Sequence, residues 1–193
     1  MSCKCLAGTR TEQNLLKSFA GESQARMRYT LFAEKAVKEG YEQIAEIFLE
    51  TAQNEKAHAE KFFRFLEGRP VEITATYPAG KVGTTMENLE AAAEGELEEH
   101  SILYPEFAKV AEEEGFPEIA AAFMLVAKAE VEHEIRYRKL LDNVKNDKVF
   151  KKDEPVKWKC RYCGYVHEGT SAPSKCPLCQ YEQGFFEVKA ENY

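Results

Sequence analysis

The chain has 193 residues, with 26 Lys and Arg against 33 Asp and Glu, a net charge of −7, and 44% hydrophobic residues. No apolar run is long enough to span a bilayer, and the acidic balance argues against a nucleic-acid platform, so neither a membrane nor a nucleic acid is expected as a partner. The apolar fraction is ample for one well-packed domain plus a small module.

The amino end, Met1 to Arg10, carries basic residues with no apolar stretch behind them, so a cytoplasmic protein is expected. In a reducing compartment six cysteines are more often metal ligands than disulfides. Cys3 and Cys5 are one residue apart, which does not make a metal knuckle, and they read as part of a frayed terminus.

Residues 11–146 are rich in Ala, Glu, Leu and Lys, and the only long break in helical patterning is Gly68 to Gly83. Two helical hairpins joined by a crossover are the expected parse. Thr11 is expected to cap the first helix and Gly40 to stop it, and Gly68 to stop the second. Thr84 or Thr85 should cap the third, and Gly115 with Pro117 should divide it from the fourth. Each helix is then about 30 residues, or roughly 45 Å.

An internal repeat supports this parse. Glu39-Gly40-Tyr41 returns as Glu114-Gly115-Phe116, and Phe48, Ala52, Glu55, His58 and Leu66 return as Phe123, Ala127, Glu130, His133 and Leu141, each 75 residues later. One hairpin used twice implies a bundle with a pseudo-twofold axis.

Carboxylates stand where the core should be. Steps of three and four along the second helix give Ile44, Phe48, Thr51, Glu55, His58 and Phe62; along the fourth they give Ile119, Phe123, Val126, Glu130, His133 and Tyr137. The first helix contributes Glu22 between Phe19 and Tyr29, and the third Glu96 and Glu99 between Leu89 and Leu103. Burying several carboxylates costs several kcal/mol each unless positive charge compensates them, and no Lys or Arg lies symmetrically in these seams. Bound cations resolve the conflict. Each Glu-x-x-His presents an oxygen and a nitrogen on one helical face, so two such helices with Glu22 and Glu96 define a two-metal site, the pattern of ferritin-like carboxylate bundles. Glu99 has no counterpart in the first helix, where Ala25 stands three residues after Glu22. Five carboxylates and two imidazoles suit iron or manganese. Glu34, Glu60, Glu98, Glu112 and Glu134 fall off the seams and read as solvated charges; His100 is off the seam and His167 lies in the tail, so neither is assigned a metal.

From Lys151 the segment carries 7 basic and 6 acidic residues and lacks helical periodicity, so the acidity belongs to the helical part. We divide the chain into a bundle, 1–150, and a tail, 151–193. Cys160-x-x-Cys163 and Cys176-x-x-Cys179 form two knuckles separated by 12 residues, a strong tetrahedral thiolate signal that zinc and iron both satisfy.

Together Ala20-Gly21-Glu22-Ser23-Gln24-Ala25-Arg26, Glu55-x-x-His58, Glu96-x-x-Glu99, Glu130-x-x-His133 and Cys163-Gly164-Tyr165-Val166-His167-Glu168-Gly169 closely resemble the rubrerythrin family from about Thr9 to the end. Trp158, Tyr162 and Tyr165 about the knuckles look like rubredoxin. The resemblance implies a mainly α fold: a four-helix ferritin-like bundle with a long crossover, then a small β-rich rubredoxin-like metal domain. It implies two iron ions in a carboxylate-bridged site and one in the four-cysteine site. It also implies a peroxidase of oxidative-stress defence that reduces hydrogen peroxide to water, with electrons relayed through the tail from a rubredoxin or an NAD(P)H-dependent reductase. Glu55 and Glu130 would bridge, Glu22 and Glu96 would be terminal ligands, His133 a permanent ligand, and Glu99 and His58 would exchange with oxidation state. Tyr29 and Tyr104, one to two turns from Glu22 and Glu99, resemble hydroxyls that orient those carboxylates. Family members pair head to tail, so at least a dimer is implied. Two other readings compete: a ferroxidase that handles iron as ferritins do, and a non-catalytic module with a structural zinc tail.

Overall fold

A computed structural model describes residues 5–192. The helices are α1 (Arg10–Lys38), α2 (Glu42–Phe63), α3 (Thr85–Glu98), α4 (Tyr104–Glu113) and α5 (Pro117–Lys145), and a five-residue π-helical turn, Glu99–Leu103, joins α3 to α4 as one rod. α1 packs along α2, and the α3–α4 rod along α5. The two hairpins close a four-rod bundle, with residues 69–84 crossing between them without regular structure. No described helix is long and apolar enough to cross a membrane.

Helix ends follow the expected chemistry with two corrections. The first cap is Thr9, whose Oγ1 accepts from the Glu12 amide at 3.1 Å, not Thr11. Thr11 instead donates its amide and hydroxyl to Glu114 at 2.8 and 2.6 Å. Its counterpart Thr85 donates its amide to Glu39 at 2.8 Å, so the end of each hairpin's first rod caps the start of the other's. Thr84 and Glu87 form a capping box. The second correction is that α2 has 22 residues and stops at Phe63, five before Gly68. Gly40 and Gly115 take positive φ, 79° and 77°, where their rods end.

The break in the third rod was not anticipated, and Pro105 explains it. Proline lacks the amide that would bond back to Ser101, and its ring crowds that carbonyl; Ser101 turns its own hydroxyl to the Leu97 carbonyl. The strain is absorbed as a π bulge, which inserts one extra residue. That insertion is visible in the repeat. Thr11, Asn14, Leu15 and Glu22 match Thr85, Asn88, Leu89 and Glu96 at an offset of 74, whereas Tyr29, Phe32, Ala36 and Gly40 match Tyr104, Phe107, Ala111 and Gly115 at 75.

The core is cut in two by the polar layer. On one side Tyr29, Phe32, Ile44, Phe48, Leu89 and Tyr137 pack together; on the other Leu15, Phe62, Tyr104, Ile119 and Phe123 do the same.

The tail is a three-stranded antiparallel sheet ordered β2 (Val166–Ser171), β1 (Lys151–Cys160), β3 (Phe186–Val188). Buried Trp158 anchors it, donating Nε1–H to the Gly169 carbonyl at 2.9 Å. It sits on the bundle end where α1 turns into α2. Phe150 stacks on Tyr41 at 6.0 Å, and a Cβ at Gly184 would collide with the Gly40 carbonyl, so glycine alone permits that approach.

Replacing either reciprocal cap, Glu114→Ala or Glu39→Ala, should lower unfolding free energy by about 1–2 kcal/mol, the range for a lost N-cap, in chemical denaturation of the full chain.

Candidate metal centres

At mid-height the four rods bring Glu22, Glu55, His58, Glu96, Glu130 and His133 together. Among the described residues two quartets of potential ligands form there: Glu22, Glu55, His58 and Glu130, and Glu55, Glu96, Glu130 and His133, with the ligand atoms of each within 4.8 Å of one another. Glu55 and Glu130 belong to both, which sets two ion positions side by side. His58 Nδ1 lies 2.9 Å from both Glu55 and Glu130; His133 Nδ1 lies 2.7 Å from Glu130 and 3.3 Å from Glu55.

The layer fits cations on its own geometry. Glu22 Oε2, Glu55 Oε1, Glu96 Oε2, both Glu130 oxygens and His133 Nδ1 are buried with no hydrogen-bond partner. Such orphans cost about 1–3 kcal/mol each, more when charged, unless something satisfies them. The close approaches of His133 to its carboxylates lack hydrogen-bond angles because the atoms converge on shared points instead of on each other. His133 Nε2 lies 3.2 Å from Asn54 Oδ1, a contact that suits a ring with its proton on Nε2 and Nδ1 as ligand once a metal is bound.

Tyr29 and Tyr104 have other partners than their own rods suggest. Tyr29 donates to Glu96 at 2.6 Å, and Tyr104 donates to Glu22, each crossing to the opposite hairpin. The signal for this pairing is the repeat itself, since Tyr29 and Tyr104 are 75 apart. Each hydroxyl occupies one carboxylate oxygen and leaves the other aimed inward. Burial, then neighbouring carboxylates, raise both tyrosines well above their ordinary range, so they remain protonated donors.

Glu99 stands apart, on the π turn, partly exposed and in neither quartet. It lines a cavity shared with Tyr29 and Tyr104. His58 and His133 instead line an open groove between α2 and α5. Glu134 and His100, both off the seams in the sequence, matter here. Glu134 is not a solvated charge: His100 lies 2.6 Å from it and Arg138 bonds it, which ties the π turn to α5. Burial of its carboxyl, then the Glu96, Glu130 and Glu55 charges, raise Glu99, and Arg28 on the cavity wall offsets them in part.

In the tail the two knuckles are matched. Cys160 and Cys176 donate their amides to the Tyr165 and Tyr181 carbonyls, both at 2.8 Å, while Gly164 and Gln180, both at positive φ, close the turns back to Cys160 and Cys176. Cys160 and Cys179 Sγ lie 3.8 Å apart, and Cys163 and Cys176 3.6 Å, so four sulfurs face one point. Burial opposes ionisation of Cys176, but the Cys179 and Leu178 amides hold its thiol down at about 7. Cys5 is exposed and Cys3 lies outside the described residues.

Two family models match the chain: Rubrerythrin over residues 13–141, and the rubredoxin-like domain of rubrerythrin over 158–187. Rubrerythrin of Clostridium perfringens is 57% identical over 98% of this chain and 100% of its own length, and that of Porphyromonas gingivalis is 57% identical over 98% and 95%. A fully reduced, all-ferrous structure of nigerythrin superposes with a TM-score of 0.63 at 31% identity, covering 97% of this chain and 90% of that one.

Without metal, the layer makes stability fall as pH rises. Burial lifts Glu96 to about 8 and Glu22 well above 4.5, so the folded state keeps protons that the unfolded state releases first. Burial lowers His58 and His133, but neighbouring carboxylates outweigh it and raise them to about 9 and about 12, which loses stability in the same direction above their ordinary 6.5. Glu55, held below its ordinary 4.5 by the two histidines against its burial, acts only on the acid side. The metal-free protein should therefore melt at progressively lower temperature from about pH 5 to about pH 8, and ferrous iron should flatten that slope, as measured by circular dichroism. Tyr104→Phe removes the donor to Glu22 and should weaken ferrous binding about 10- to 100-fold in calorimetry.

Proposed function

The chain belongs to the rubrerythrin family of di-iron oxidoreductases with a rubredoxin-like domain, and from that premise we propose that it is a peroxidase reducing hydrogen peroxide to water. The catalytic bundle is residues 1–150 and the electron-carrying tail 151–193. The observation that carries this reading is the choice of ligand at one ion position: His58 stands in its quartet while Glu99 waits outside on the π turn. An extra carboxylate suits a ferric pair, and a neutral imidazole suits a ferrous pair and leaves a place for peroxide. A ferroxidase needs no electron-carrying tail, and the four-cysteine module supplies one here.

When bound, the iron pair supplies two electrons for cleavage of the O–O bond. The protein's own groups do the positioning. Glu55 and Glu130, common to both quartets, would be shared by the two ions, and Glu22, Glu96 and His133 would complete the set. Tyr29 and Tyr104 keep Glu96 and Glu22 from rotating, and Tyr104 keeps a hydroxyl proton beside the cavity. The tail cysteines, Cys160, Cys163, Cys176 and Cys179, would hold a third iron, which would supply the electron-carrying centre for a rubredoxin or an NAD(P)H-dependent reductase as donor. Four free cysteines arranged for a metal suit a reducing compartment, which supports a cytoplasmic location.

A homodimer completes the relay. Along α2 the step from Glu42, at the tail-bearing end, to Glu55 rises roughly 20 Å. Head-to-tail pairing sets one chain's tail against the other's histidine groove, where Ile135 is 54% exposed.

One equivalent of hydrogen peroxide added anaerobically to the fully reduced, iron-loaded protein should restore the visible colour of the ferric four-cysteine centre as peroxide is consumed. Reoxidation by oxygen but not by peroxide would favour the ferroxidase instead, and a colourless zinc-filled tail would remove the relay. For the dimer, a chain with Cys160→Ser and one with Glu55→Ala should each be inactive alone and recover turnover when refolded together; no recovery would place electron transfer within one chain.

A further inference from the structure

The bundle has a second opening, away from the histidines. Between α1 and the α3–α4 rod lies a cavity of about 340 Å3. The crossover roofs it. Tyr77 donates its hydroxyl to the Lys17 carbonyl at 2.6 Å, and its ring lies 3.5 Å from where a Cβ at Gly21 would stand, so the strap is pinned across α1. Glu99, Tyr29 and Tyr104 form the inner wall, toward the metal layer.

The size of this space exceeds what the proposed substrate needs. It equals the liquid volume of roughly eleven waters, whereas hydrogen peroxide, with two heavy atoms, displaces roughly two. Leu103, Phe107 and, from the roof, Pro78 give the lining an apolar stretch among polar residues such as Lys17, Gln24 and Thr74. Arg28 lines the cavity too, and its Nε is buried without a hydrogen-bond partner. A chamber with an apolar stretch, and with a donor and a hydroxyl at its metal-facing end, suits a ligand that is apolar at one end and carries oxygen at the other.

We propose that this chamber receives the alkyl group of small organic hydroperoxides, so that the substrates include ROOH with R about the size of a tert-butyl group. This rests on the peroxidase reading above. The RO–OH bond breaks, two electrons come from the reduced metal pair, one from each ferrous ion, and two protons are taken up, giving ROH and water. Phe107 and the roof residue Ala75, rather than any metal ligand, set which R group fits.

The test uses the iron-loaded, anaerobically reduced full chain with hydrogen peroxide and with tert-butyl hydroperoxide. Both should be reduced. Ala75→Trp, on an exposed irregular segment, should lower kcat/KM for the organic peroxide about tenfold and leave hydrogen peroxide unchanged; Phe107→Ala should raise kcat/KM for cumene hydroperoxide about tenfold. A readout without turnover accompanies it. In zinc-loaded protein, saturation-transfer NMR should show tert-butanol bound to the native chain and not to Ala75→Trp. Reduction of hydrogen peroxide alone, equal slowing of both peroxides by Ala75→Trp, or no saturation transfer would each overturn the chamber. If neither peroxide is reduced, the peroxidase reading fails and this proposal falls with it.

Discussion

Everything in this protein is arranged around one electrostatic constraint: a layer of carboxylates buried at mid-height in an apolar bundle. Isolated ionised carboxylates in such a place are costly, and the ordinary remedies are neutralisation or a partner of opposite charge. The chain supplies two imidazoles and no lysine or arginine to the quartets, so the protein alone leaves six buried atoms unsatisfied. The apolar core is consequently split into two clusters, each packed like the interior of a small domain, with the charged layer between them. Folding and metal binding are thereby the same problem. The clusters draw the rods together, and the cations remove the repulsion that drawing them together creates.

The repeat explains how much of this could be read from the residues. Each Glu-x-x-His lies in an apolar seam, and seam periodicity is a property of one helix at a time, so Glu22, Glu55, His58, Glu96, Glu130 and His133 were all visible. What periodicity does not give is which side chain reaches which across the bundle. Spacing along one rod pairs Tyr29 with Glu22 and Tyr104 with Glu99, yet the structure crosses them, because a tyrosine one turn or more along a rod faces the opposite hairpin at the next level. The capping error has the same origin. Thr11 looked like a local cap, but its partner is Glu114, 103 residues away, and the local role passes to Thr9. Glu134, read as solvated by its position off the seam, is claimed by His100 and Arg138 from two rods.

The π turn is the place where the duplication departs from symmetry, and chemistry follows the departure. The change of offset from 74 to 75 between Glu96 and Tyr104 locates one inserted residue, and Pro105 makes a regular helix there unfavourable. With one residue more in the third rod than in the first, Glu99 is carried onto a widened turn without an equivalent on α1, where Ala25 keeps the matching place small. An extra ligand on a distorted turn differs physically from one on a rigid helix. Its position depends on links such as His100 to Glu134, and not on the helical ladder alone.

That asymmetry also gives the metal layer two distinct faces. The imidazoles look into the groove between α2 and α5, while Glu99 and the two tyrosine hydroxyls look into the cavity beneath the crossover. A symmetric hairpin pair would have offered the same environment on both. On the reading proposed here, electrons arrive at the histidine face, which a second chain's tail can cover, and peroxide arrives at the carboxylate face, which the crossover shelters. Separate entrances remove a conflict that a single opening would impose, because a docked tail would otherwise block the substrate it serves. The crossover, needed topologically to join two hairpins in a bundle, thereby doubles as the roof that defines the substrate's side.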